Sequence, residues 1–252
     1  MATTDELAMQ PIAGRAGRLR LACVIPALDE AGKVGPLIER FPPGVVDEVV
    51  VVDDASTDGT FEEATAAGAT VLRHARTSGS GTAIRTGIDY VLERDFDLVV
   101  IMAGDDQDDP AELPLLLAPM LAGEADVVQG SRRLGGRRTV DMPFYRRVLT
   151  KVYSACFRLA TRSSITDATN GYRLLRVDVL RDPGIDLHQD WLDAYELEPY
   201  VLFRSLKLGY RVREVPIVKR YDHGRGYTKM NPRRDWWGIF GPVVLLGLGL
   251  RK

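Results

Sequence analysis

The sequence predicts an α/β domain with a mostly parallel central sheet flanked by helices. Short runs of β-branched apolar residues alternate with helical segments through the first half of the chain. Clusters of carboxylates follow two of these runs, at Asp53-Asp54 and Asp105-Asp106. Ligands of open α/β sheets lie at the carboxyl ends of the strands, so we expect this rim to bind a nucleotide and a hard cation.

The elements follow from the apolar periodicity and from helix start and stop signals. A helix is predicted after Asp109-Pro110, and Gly123 follows its last turn. The predicted strands are residues 19–25, 48–52, 70–73, 98–102, 126–129, 172–176 and 211–218. The predicted helices are residues 31–40, 60–67, 82–94, 111–121, 144–162 and 191–208, with a loop at 131–139.

Composition narrows the class of protein. With 252 residues, 45% of them hydrophobic, the chain can bury a sizeable core, and its net charge of −2 gives no general attraction to nucleic acid. Cys23 and Cys156 form neither a disulfide framework nor a metal-type spacing, which favours a reduced, cytoplasmic compartment. Residues 1–18 read as a loose polar arm without a signal peptide, and we see no apolar run of about 18 residues that would span a membrane.

The first two strand ends resemble a known family. Residues 24–30, Val-Ile-Pro-Ala-Leu-Asp-Glu, and residues 53–60, Asp-Asp-Ala-Ser-Thr-Asp-Gly-Thr, resemble the start of an inverting family 2 glycosyltransferase, which has the Rossmann-like GT-A fold. Such strand ends hold the base and ribose of a nucleotide-sugar, and carboxylates suit those hydrogen bonds. The alternative for Asp58 is a cap on the helix near Thr60. The resemblance implies donor contacts from Pro26, Leu28, Glu30, Asp53, Asp54 and Asp58.

A glycine-rich turn follows the third predicted strand. Glycines let a backbone approach a phosphate, and a helix N-terminus favours an anion. The turn at residues 79–83, Gly-Ser-Gly-Thr-Ala, resembles the corresponding loop of the family, which implies donor contacts from Gly79, Gly81 and Arg85. A plain connecting loop is the alternative.

The second acidic cluster stands where the family keeps an Asp-x-Asp metal motif. The resemblance matches Asp105 to the second aspartate and Gln107 to the following glutamine, which implies that they hold Mg²⁺ or Mn²⁺ beside a diphosphate. Ala103 replaces the first aspartate, so Asp106, Asp108 or the diphosphate itself would have to compensate. Gly104 and Asp106 are further candidate donor contacts. The alternative is a solvated acidic loop that caps the next helix.

A basic segment follows the acidic rim. Residues 132–162 contain nine Arg or Lys residues against one acid, Asp141. One arginine side chain can bind two phosphate oxygens at once. We therefore expect Arg132 and Arg146 to bind an anionic acceptor. The alternative, a solvated helix face, explains some of these charges. Nucleic acid is a poor explanation, since stacking aromatic residues are not interleaved with the charges.

Two later segments resemble dolichol-phosphate-mannose synthase-like enzymes. Residues 167–173, Asp-Ala-Thr-Asn-Gly-Tyr-Arg, match one motif, and residues 226–230, Gly-Tyr-Thr-Lys-Met, match a Gly-x-Ser-Lys-Leu motif. The resemblance, which spans about residues 20–230, implies Lys229 as a catalytic residue near a phosphate. It also implies acceptor contacts from Asp167, Gly171, Arg173 and Glu196.

The C-terminal tail, residues 231–252, has a different composition. Residues 236–250 carry no charge but are too few to span a bilayer, and the pair Trp236-Trp237 beside arginines suits a membrane interface. The alternative is a segment packed on the domain or in a homodimer, and Pro242 argues against one straight helix. The predicted organisation is an arm at 1–18, a GT-A domain at 19–230 with donor half 19–130 and acceptor half 131–230, and this interfacial tail.

These observations predict inverting transfer of a sugar from GDP-mannose or a UDP-hexose to a polyprenyl or dolichyl phosphate at the cytoplasmic membrane face. Asp105, Arg132 and Lys229 would be catalytic. A phosphate acceptor needs no general base, whereas a hydroxyl acceptor would make Asp193, Glu196 or Glu198 the candidate base. A nucleotidyltransferase lacks support because no glycine-rich basic loop follows the first strand, and a receiver-like domain fails on length. A nucleotide-sugar-binding relic stays an alternative.

Overall fold

The computed structural model describes residues 18–135, 142–221, 232–249 and 251. Its strands are β1 Leu21–Ala27, β2 Glu48–Asp53, β3 Thr70–Arg73, β4 Leu98–Ile101, β5 Val127–Ser131, β6 Arg173–Arg176 and β7 Val212–Pro216. Its helices are α1 Val34–Glu39, α2 Thr60–Ala66, α3 Ser80–Leu92, α4 Leu113–Leu121, α5 Phe144–Thr161, α6 Val177–Leu180, α7 Leu197–Lys207 and α8 Pro232–Gly247, with a 3₁₀ turn at Pro110–Glu112.

The strands form one seven-stranded sheet in the order β3-β2-β1-β4-β6-β5-β7. All neighbours are parallel except β6, which runs antiparallel to both β4 and β5. The carboxyl ends of β1, β2, β4 and β5 therefore lie on one rim. The predicted mostly parallel sheet flanked by helices is confirmed.

Successive side chains of a strand point to opposite faces of the sheet, so each strand contributes to two hydrophobic cores, one on each face. In β1, Ala22 and Val24 pack with residues of α3, α5, α7 and α8, whereas Cys23 and Ile25 pack with residues of α1, α2 and α4. The strands are buried on both faces, which is why they read as continuous apolar runs in the sequence.

Two predicted helices begin at least three residues later in the structure than the sequence predicts. The helix predicted at 191–208 begins at Leu197, because Ala194 N donates to Glu196 Oε2 and the preceding residues turn to meet α3. The helix predicted at 31–40 begins at Val34, since the backbone first turns on hydrogen bonds from Lys33 N and Val34 N to Glu30 O. The fifth strand also continues to Ser131, beyond its predicted end.

The C-terminal helix α8 runs through Pro242 without a break and packs on the domain. The Phe240 ring meets Tyr153 of α5 edge-on, with 5.1 Å between ring centroids, and Val243 and Leu246 are buried in the core. This observation favours the packed-segment alternative for the part of the tail whose side chains are described, Phe240–249. Within the described ranges, no helix has the length and apolar character needed to cross a bilayer.

Candidate active site

A cavity of about 420 Å³ opens at the carboxyl rim of the sheet. The loops after β1, β2 and β4 supply one side, and the ends of β5 and the helices α5 and α7 supply the other. Nine of the predicted site residues line it: Pro26, Leu28, Glu30, Asp54, Gly79, Gly104, Asp105, Arg132 and Arg146. The lining residues that sequence reasoning did not assign to the site include Thr77, Ser80, Thr150, Thr169, Asn170 and Tyr195.

Asp54 fastens the glycine-rich turn to the end of β2. Its carboxylate accepts hydrogen bonds from Ser78 N at 2.8 Å and Gly79 N at 2.9 Å, and it lies 2.7 Å from His74 Nδ1. The turn therefore keeps its position beside the loop after β1. Asp54 therefore has two roles: it holds the glycine-rich turn in position, and it lines the cavity.

The protein itself occupies part of the N-terminus of α3, while Gly79 and Ser80 line the cavity, and the phosphate contact of this turn stays a prediction. Thr82 N donates to Asp193 O at 3.1 Å, and a Cβ at Gly79 would lie 2.3 Å from that same oxygen. Arg85 forms a 2.8 Å ion pair with Asp193. Gly81 and Arg85 thus hold the loop 191–196 and lie outside the cavity lining, because the glycines make room for a neighbouring backbone.

Replacing Gly81 by Ala is expected to disturb both stability and the cavity wall. The new Cβ would lie 2.1 Å from Leu192 O and 2.5 Å from Ala194 O, so the loop that carries Ala194 and Tyr195 would have to move. We expect a loss of roughly 1–3 kcal/mol in the free energy of unfolding, measured by denaturant titration. Gly59→Ala is the control, since its Cβ would make an ordinary 3.9 Å contact; equal stability of the two variants would contradict the packing argument.

Asp53 and Asp58 organise the loops of the donor side but do not line the cavity. Asp53 is fully buried, accepts from Ser56 N at 2.8 Å and pairs with Arg73 at 3.1 Å. Asp58 accepts from Thr60 N and Ala31 N, which matches the capping alternative. These contacts give both carboxylates a structural role, and their donor contacts stay predictions.

In the loop after β4, one carboxylate reaches the cavity. Asp105 lines it, and burial raises the pKa of Asp105, with Lys219 opposing the rise and Asp108 adding to it. Asp106 adopts a left-handed backbone conformation and pairs with Arg40. The neighbouring Gln107 is buried outside the lining, with its backbone N–H donated to Asp105 Oδ1 at 3.2 Å. Neither Asp106 nor Gln107 lines the cavity, and the donor contact of the first and the metal contact of the second stay predictions.

A buried ion pair anchors this loop to the end of the sheet. Lys219 Nζ donates to Asp108 Oδ2 at 2.8 Å, and Arg220 N donates to Gln107 O at 3.0 Å. Both partners of the ion pair are almost fully buried. Asp108 is therefore engaged in holding the loop, a role for which the sequence contains no spacing signal because Lys219 is 111 residues away.

The opposite wall of the cavity contains a buried arginine, Arg132, that stays positively charged. Arg132 donates from Nε to Asp167 Oδ2 at 2.6 Å and from Nη2 to Asp167 Oδ1 at 2.7 Å, and its Nη1 donates to the Tyr221 hydroxyl at 2.8 Å. Although burial opposes both charges, the pairing raises the pKa of Arg132 and lowers that of Asp167 to about 2. Asp167 is fully buried, lies outside the cavity lining and orients Arg132, and its direct acceptor contact stays a prediction.

Arg146 comes from the first turn of α5 and lines the same wall. Its guanidinium carbon lies 5.4 Å from the centroid of the Tyr221 ring, whose hydroxyl also bonds to Arg132. Thr150, one turn further along α5, completes this part of the lining. The two arginines predicted to bind an anionic group therefore stand on one wall, linked by Tyr221.

The remaining acceptor predictions fall outside the cavity lining. Arg173 is 1% exposed and donates to Gln129 Oε1 and to backbone oxygens of Asn170 and Glu198, so it supports the core. Glu196 turns back to accept from Ala194 N. A Cβ at Gly171 would lie 2.7 Å from Glu198 Oε1, so this glycine makes room for a carboxylate.

Glu198 is the candidate base that the structure places at the cavity. It lines the cavity, whereas Asp193 and Glu196 do not, and burial raises the pKa of Glu198 against the opposing charge of Arg173. Lys229 and its segment 226–230 lie outside the described residues.

Comparison with known proteins identifies the family. A sequence profile described as glycosyl transferase family 2 matches residues 23–183. The chain belongs to this family. This glycosyltransferase is 35% identical over 233 residues to the undecaprenyl-phosphate mannosyltransferase of Micrococcus luteus, covering 90% of this chain and 92% of that protein. It is 32% identical over 208 residues to the polyprenol monophosphomannose synthase of Mycolicibacterium smegmatis, covering 79% and 77%.

Solved structures show the same fold. The glycosyltransferase superposes on glucosyl-3-phosphoglycerate synthase from Mycobacterium tuberculosis, solved with Mn²⁺, UDP and phosphoglyceric acid, with a TM-score of 0.73. The two share 20% sequence identity, and the match covers 99% of this chain and 84% of the other. The GT-A fold predicted from the motifs is thereby confirmed.

The residues of this glycosyltransferase fit a divalent cation that is shared with a ligand. No cluster of three or more His, Cys, Asp or Glu side chains that could hold a metal occurs in the described part of the chain. Asp105 and Glu30 nevertheless line the cavity, and burial raises the pKa of Asp105. Such a site suits Mg²⁺ or Mn²⁺, which commonly take one or two carboxylates plus substrate phosphates.

Proposed function

We propose that this enzyme transfers a sugar from a nucleotide-sugar to a polyprenyl phosphate by inverting displacement at the cytoplasmic face of the membrane. The observation that carries the proposal is that one cavity is lined by Glu30, Asp54 and Asp105 from the loops after β1, β2 and β4, here called the acidic wall, and by Arg132 and Arg146 from the end of β5 and from α5, here called the basic wall. A nucleotide-sugar and a cation suit the first wall, and an anionic acceptor suits the second. The polyprenyl-phosphate mannosyltransferase names of the relatives support this acceptor class and make GDP-mannose the first donor to test, ahead of UDP-hexoses.

The acceptor wall supplies positioning and charge. A phosphate monoester is already anionic, so its oxygen can attack without a general base. Arg132 is held rigidly by Asp167 and keeps its charge, and Arg146 adds a second guanidinium. Rigid placement of the nucleophile converts the encounter into an effectively intramolecular one. We include Lys229 in this group as a prediction from the motif alone.

The acidic wall would stabilise the leaving nucleoside diphosphate. Mg²⁺ or Mn²⁺, when bound, would neutralise charge on the departing nucleoside diphosphate, with Asp105 as the residue that would hold it. Gly104 and Ala103 bring the backbone beside Asp105 close to the cavity. Asp54 keeps the glycine-rich turn in place through Ser78 N and Gly79 N, so the nucleotide would meet a preformed wall.

Replacing Arg146 by Gln is expected to weaken the acceptor selectively. The guanidinium lines the basic wall but has no part in the acidic wall, so KM for the acceptor should rise roughly tenfold while KM for the donor stays within error. Steady-state kinetics with each substrate varied in turn check this. Arg181→Gln, at a surface pair with Asp178, is the matched control. A rise in the donor KM alone would contradict the assignment.

Transfer of the sugar to a hydroxyl group is the second candidate function. The position of Glu198 in the cavity lining favours it. A carboxylate with a raised pKa at the cavity could accept a hydroxyl proton. Glu198→Gln separates the candidates: it should abolish turnover with a hydroxyl acceptor, whereas a phosphate acceptor has no proton for this residue to remove. An enzyme relic would bind nucleotide-sugar without turning over either acceptor.

A donor panel tests the proposed function. Purified full-length protein with Mg²⁺ or Mn²⁺ would be offered GDP-mannose and several UDP-hexoses, each with and without a short polyprenyl phosphate, and released nucleoside diphosphate would be measured. We expect lipid-dependent release with one donor. Release that is independent of the lipid phosphate for every donor would overturn the proposal. The packing of Phe240, Val243 and Leu246 on the domain argues against membrane contact by that part of the tail, and the predicted membrane contact of residues 231–252 and a homodimer through this tail stay proposals, the second tested by light scattering.

A further inference from the structure

A histidine stands behind the carboxylate that fastens the glycine-rich turn. His74 directly follows β3, its side chain is 15% exposed, and it lies outside the cavity lining. Its Nδ1 lies 2.7 Å from Asp54 Oδ1, and its Nε2 lies 3.0 Å from Thr86 Oγ1 of α3. Both ring nitrogens therefore have an oxygen partner, and the ring bridges the residue after β2 and the helix α3.

The two partners of the ring differ in their other contacts. Asp54 also accepts hydrogen bonds from Ser78 N at 2.8 Å and from Gly79 N at 2.9 Å, and both Asp54 and Gly79 line the cavity. Thr86 Oγ1 instead donates to Thr82 O at 3.0 Å within α3, and neither threonine lines the cavity. Nδ1 is therefore the side of the ring that is connected to the cavity wall, and Nε2 is the side that is connected to the helix.

The contact with His74 fixes the Asp54 carboxylate relative to the sheet. A carboxylate only accepts hydrogen bonds, so Nδ1 carries the proton that the ring donates. Two of the three hydrogen bonds to Asp54 come from the turn itself, and a carboxylate held by these two alone could move together with the turn. The third comes from His74, whose own backbone N–H donates to Asp53 O of β2 at 2.9 Å. The histidine thus ties the carboxylate, and through it the turn, to the end of the sheet.

We propose that His74 is a positioning residue for the nucleotide-sugar: through Nδ1 it fixes Asp54, and through Asp54 it holds the turn at residues 77–80 in the place where the donor binds. A turn that is ordered before binding lowers the entropic cost of binding the nucleotide. His74 has no contact with the substrate in this role. The inference rests on the proposed function, because it takes the acidic wall to be the side that binds the donor.

Two substitutions separate the two sides of the ring. In His74→Asn the amide nitrogen takes the place of Nδ1 and can still donate to Asp54, whereas in His74→Gln it takes the place of Nε2 and the contact with Asp54 is lost. Isothermal titration calorimetry of the full-length protein with GDP and with UDP, in the presence of Mn²⁺, measures nucleotide affinity without turnover. We expect the Kd of the nucleotide that binds to rise about tenfold in His74→Gln, the scale of one hydrogen bond to a charged group, and to stay within about twofold in His74→Asn.

The matched control is His188→Gln. His188 is an exposed histidine that also pairs with a carboxylate of α3, Asp89, but neither residue lines the cavity. This variant should bind the nucleotide as the wild type does. Thermal unfolding of the three variants establishes that folded proteins are compared.

Two further measurements distinguish positioning from general support of the fold. Amide hydrogen exchange at Ser78 and Gly79 should be faster in His74→Gln than in His74→Asn, because only the first variant releases the turn. In steady-state kinetics, His74→Gln should raise KM for the donor, while KM for the acceptor and kcat at saturating donor stay within about twofold of the wild type.

Equal nucleotide Kd in His74→Gln and the wild type, or weaker binding in His74→Asn than in His74→Gln, would overturn the positioning role. A His74→Gln variant that loses donor affinity, acceptor affinity and thermal stability together would also overturn it, in favour of a role in the fold alone. If no polyprenyl phosphate is turned over, the proposed function fails, and the nucleotide Kd still decides the role of His74. A wild type that binds neither GDP nor UDP would overturn both.

Discussion

Asp105→Asn is expected to lower kcat by about 100- to 1,000-fold, the scale of losing one preorganised group that stabilises developing charge. The substitution keeps the shape of the side chain and removes a charge that lines the cavity and interacts with the buried Asp108–Lys219 pair. Because Asp105 has no ion pair of its own among the described residues, folding should be little affected. Steady-state turnover with saturating donor and Mn²⁺ measures the effect.

The matched control for Asp105 is Asp178→Asn. Asp178 is an exposed carboxylate on α6 that does not line the cavity, and its pair with Arg181 is at the surface. Thermal unfolding of both variants would confirm that the comparison is between folded proteins. Full activity of Asp105→Asn would remove the metal-binding assignment and with it the proposed role of the acidic wall.

Arg132→Gln is expected to have the second large effect, on stability and activity together. The substitution leaves the buried Asp167 carboxylate without its bidentate partner, which typically costs about 3–5 kcal/mol in the free energy of unfolding. It also removes the guanidinium from the acceptor wall. Denaturant titration and acceptor-dependent turnover measure the two effects separately.

The double variant Arg132→Gln/Asp167→Asn distinguishes the two roles of Arg132. Neutralising both partners removes the uncompensated buried charge, so much of the stability should return, while activity on a phosphate acceptor should not. Activity that recovers along with stability would show that Arg132 acts only through the fold. The single variant Asp167→Asn should fall between the two, because Arg132 would keep its charge but lose its fixed orientation.

The fold was largely predictable because the sheet is buried on both faces. Strands such as Leu98–Ile101 are continuous apolar runs, and Asp109 caps the 3₁₀ turn that leads into α4, as its place before Pro110 predicts. The antiparallel insertion of β6 between β4 and β5 was not predictable from any local pattern, since it depends on pairing between distant segments. The predicted start of the helix at 191–208 was wrong for the same reason, because Asp193 O accepts a hydrogen bond from Thr82 N at the start of α3.

The loops that form the site could be predicted from the sequence more reliably than the side chains that line it. Adjacent carboxylates look alike in sequence, yet Asp54 lines the cavity while Asp53 is buried against Arg73. The glycine-rich turn was placed correctly beside the cavity, but its glycines make room for the backbone of residues 192–194. Tyr195 gave no signal, because its position depends on that same long-range contact.

The most direct test of the proposed function compares two acceptors that share one lipid tail. Wild-type enzyme, its preferred nucleotide-sugar and Mn²⁺ would be incubated with a polyprenyl phosphate or with the corresponding polyprenol, and lipid-linked sugar would be quantified. The basic wall of Arg132 and Arg146 predicts product from the phosphate and little or none from the alcohol. Equal or greater product from the alcohol, lost in Glu198→Gln, would contradict a phosphate acceptor and establish the hydroxyl alternative.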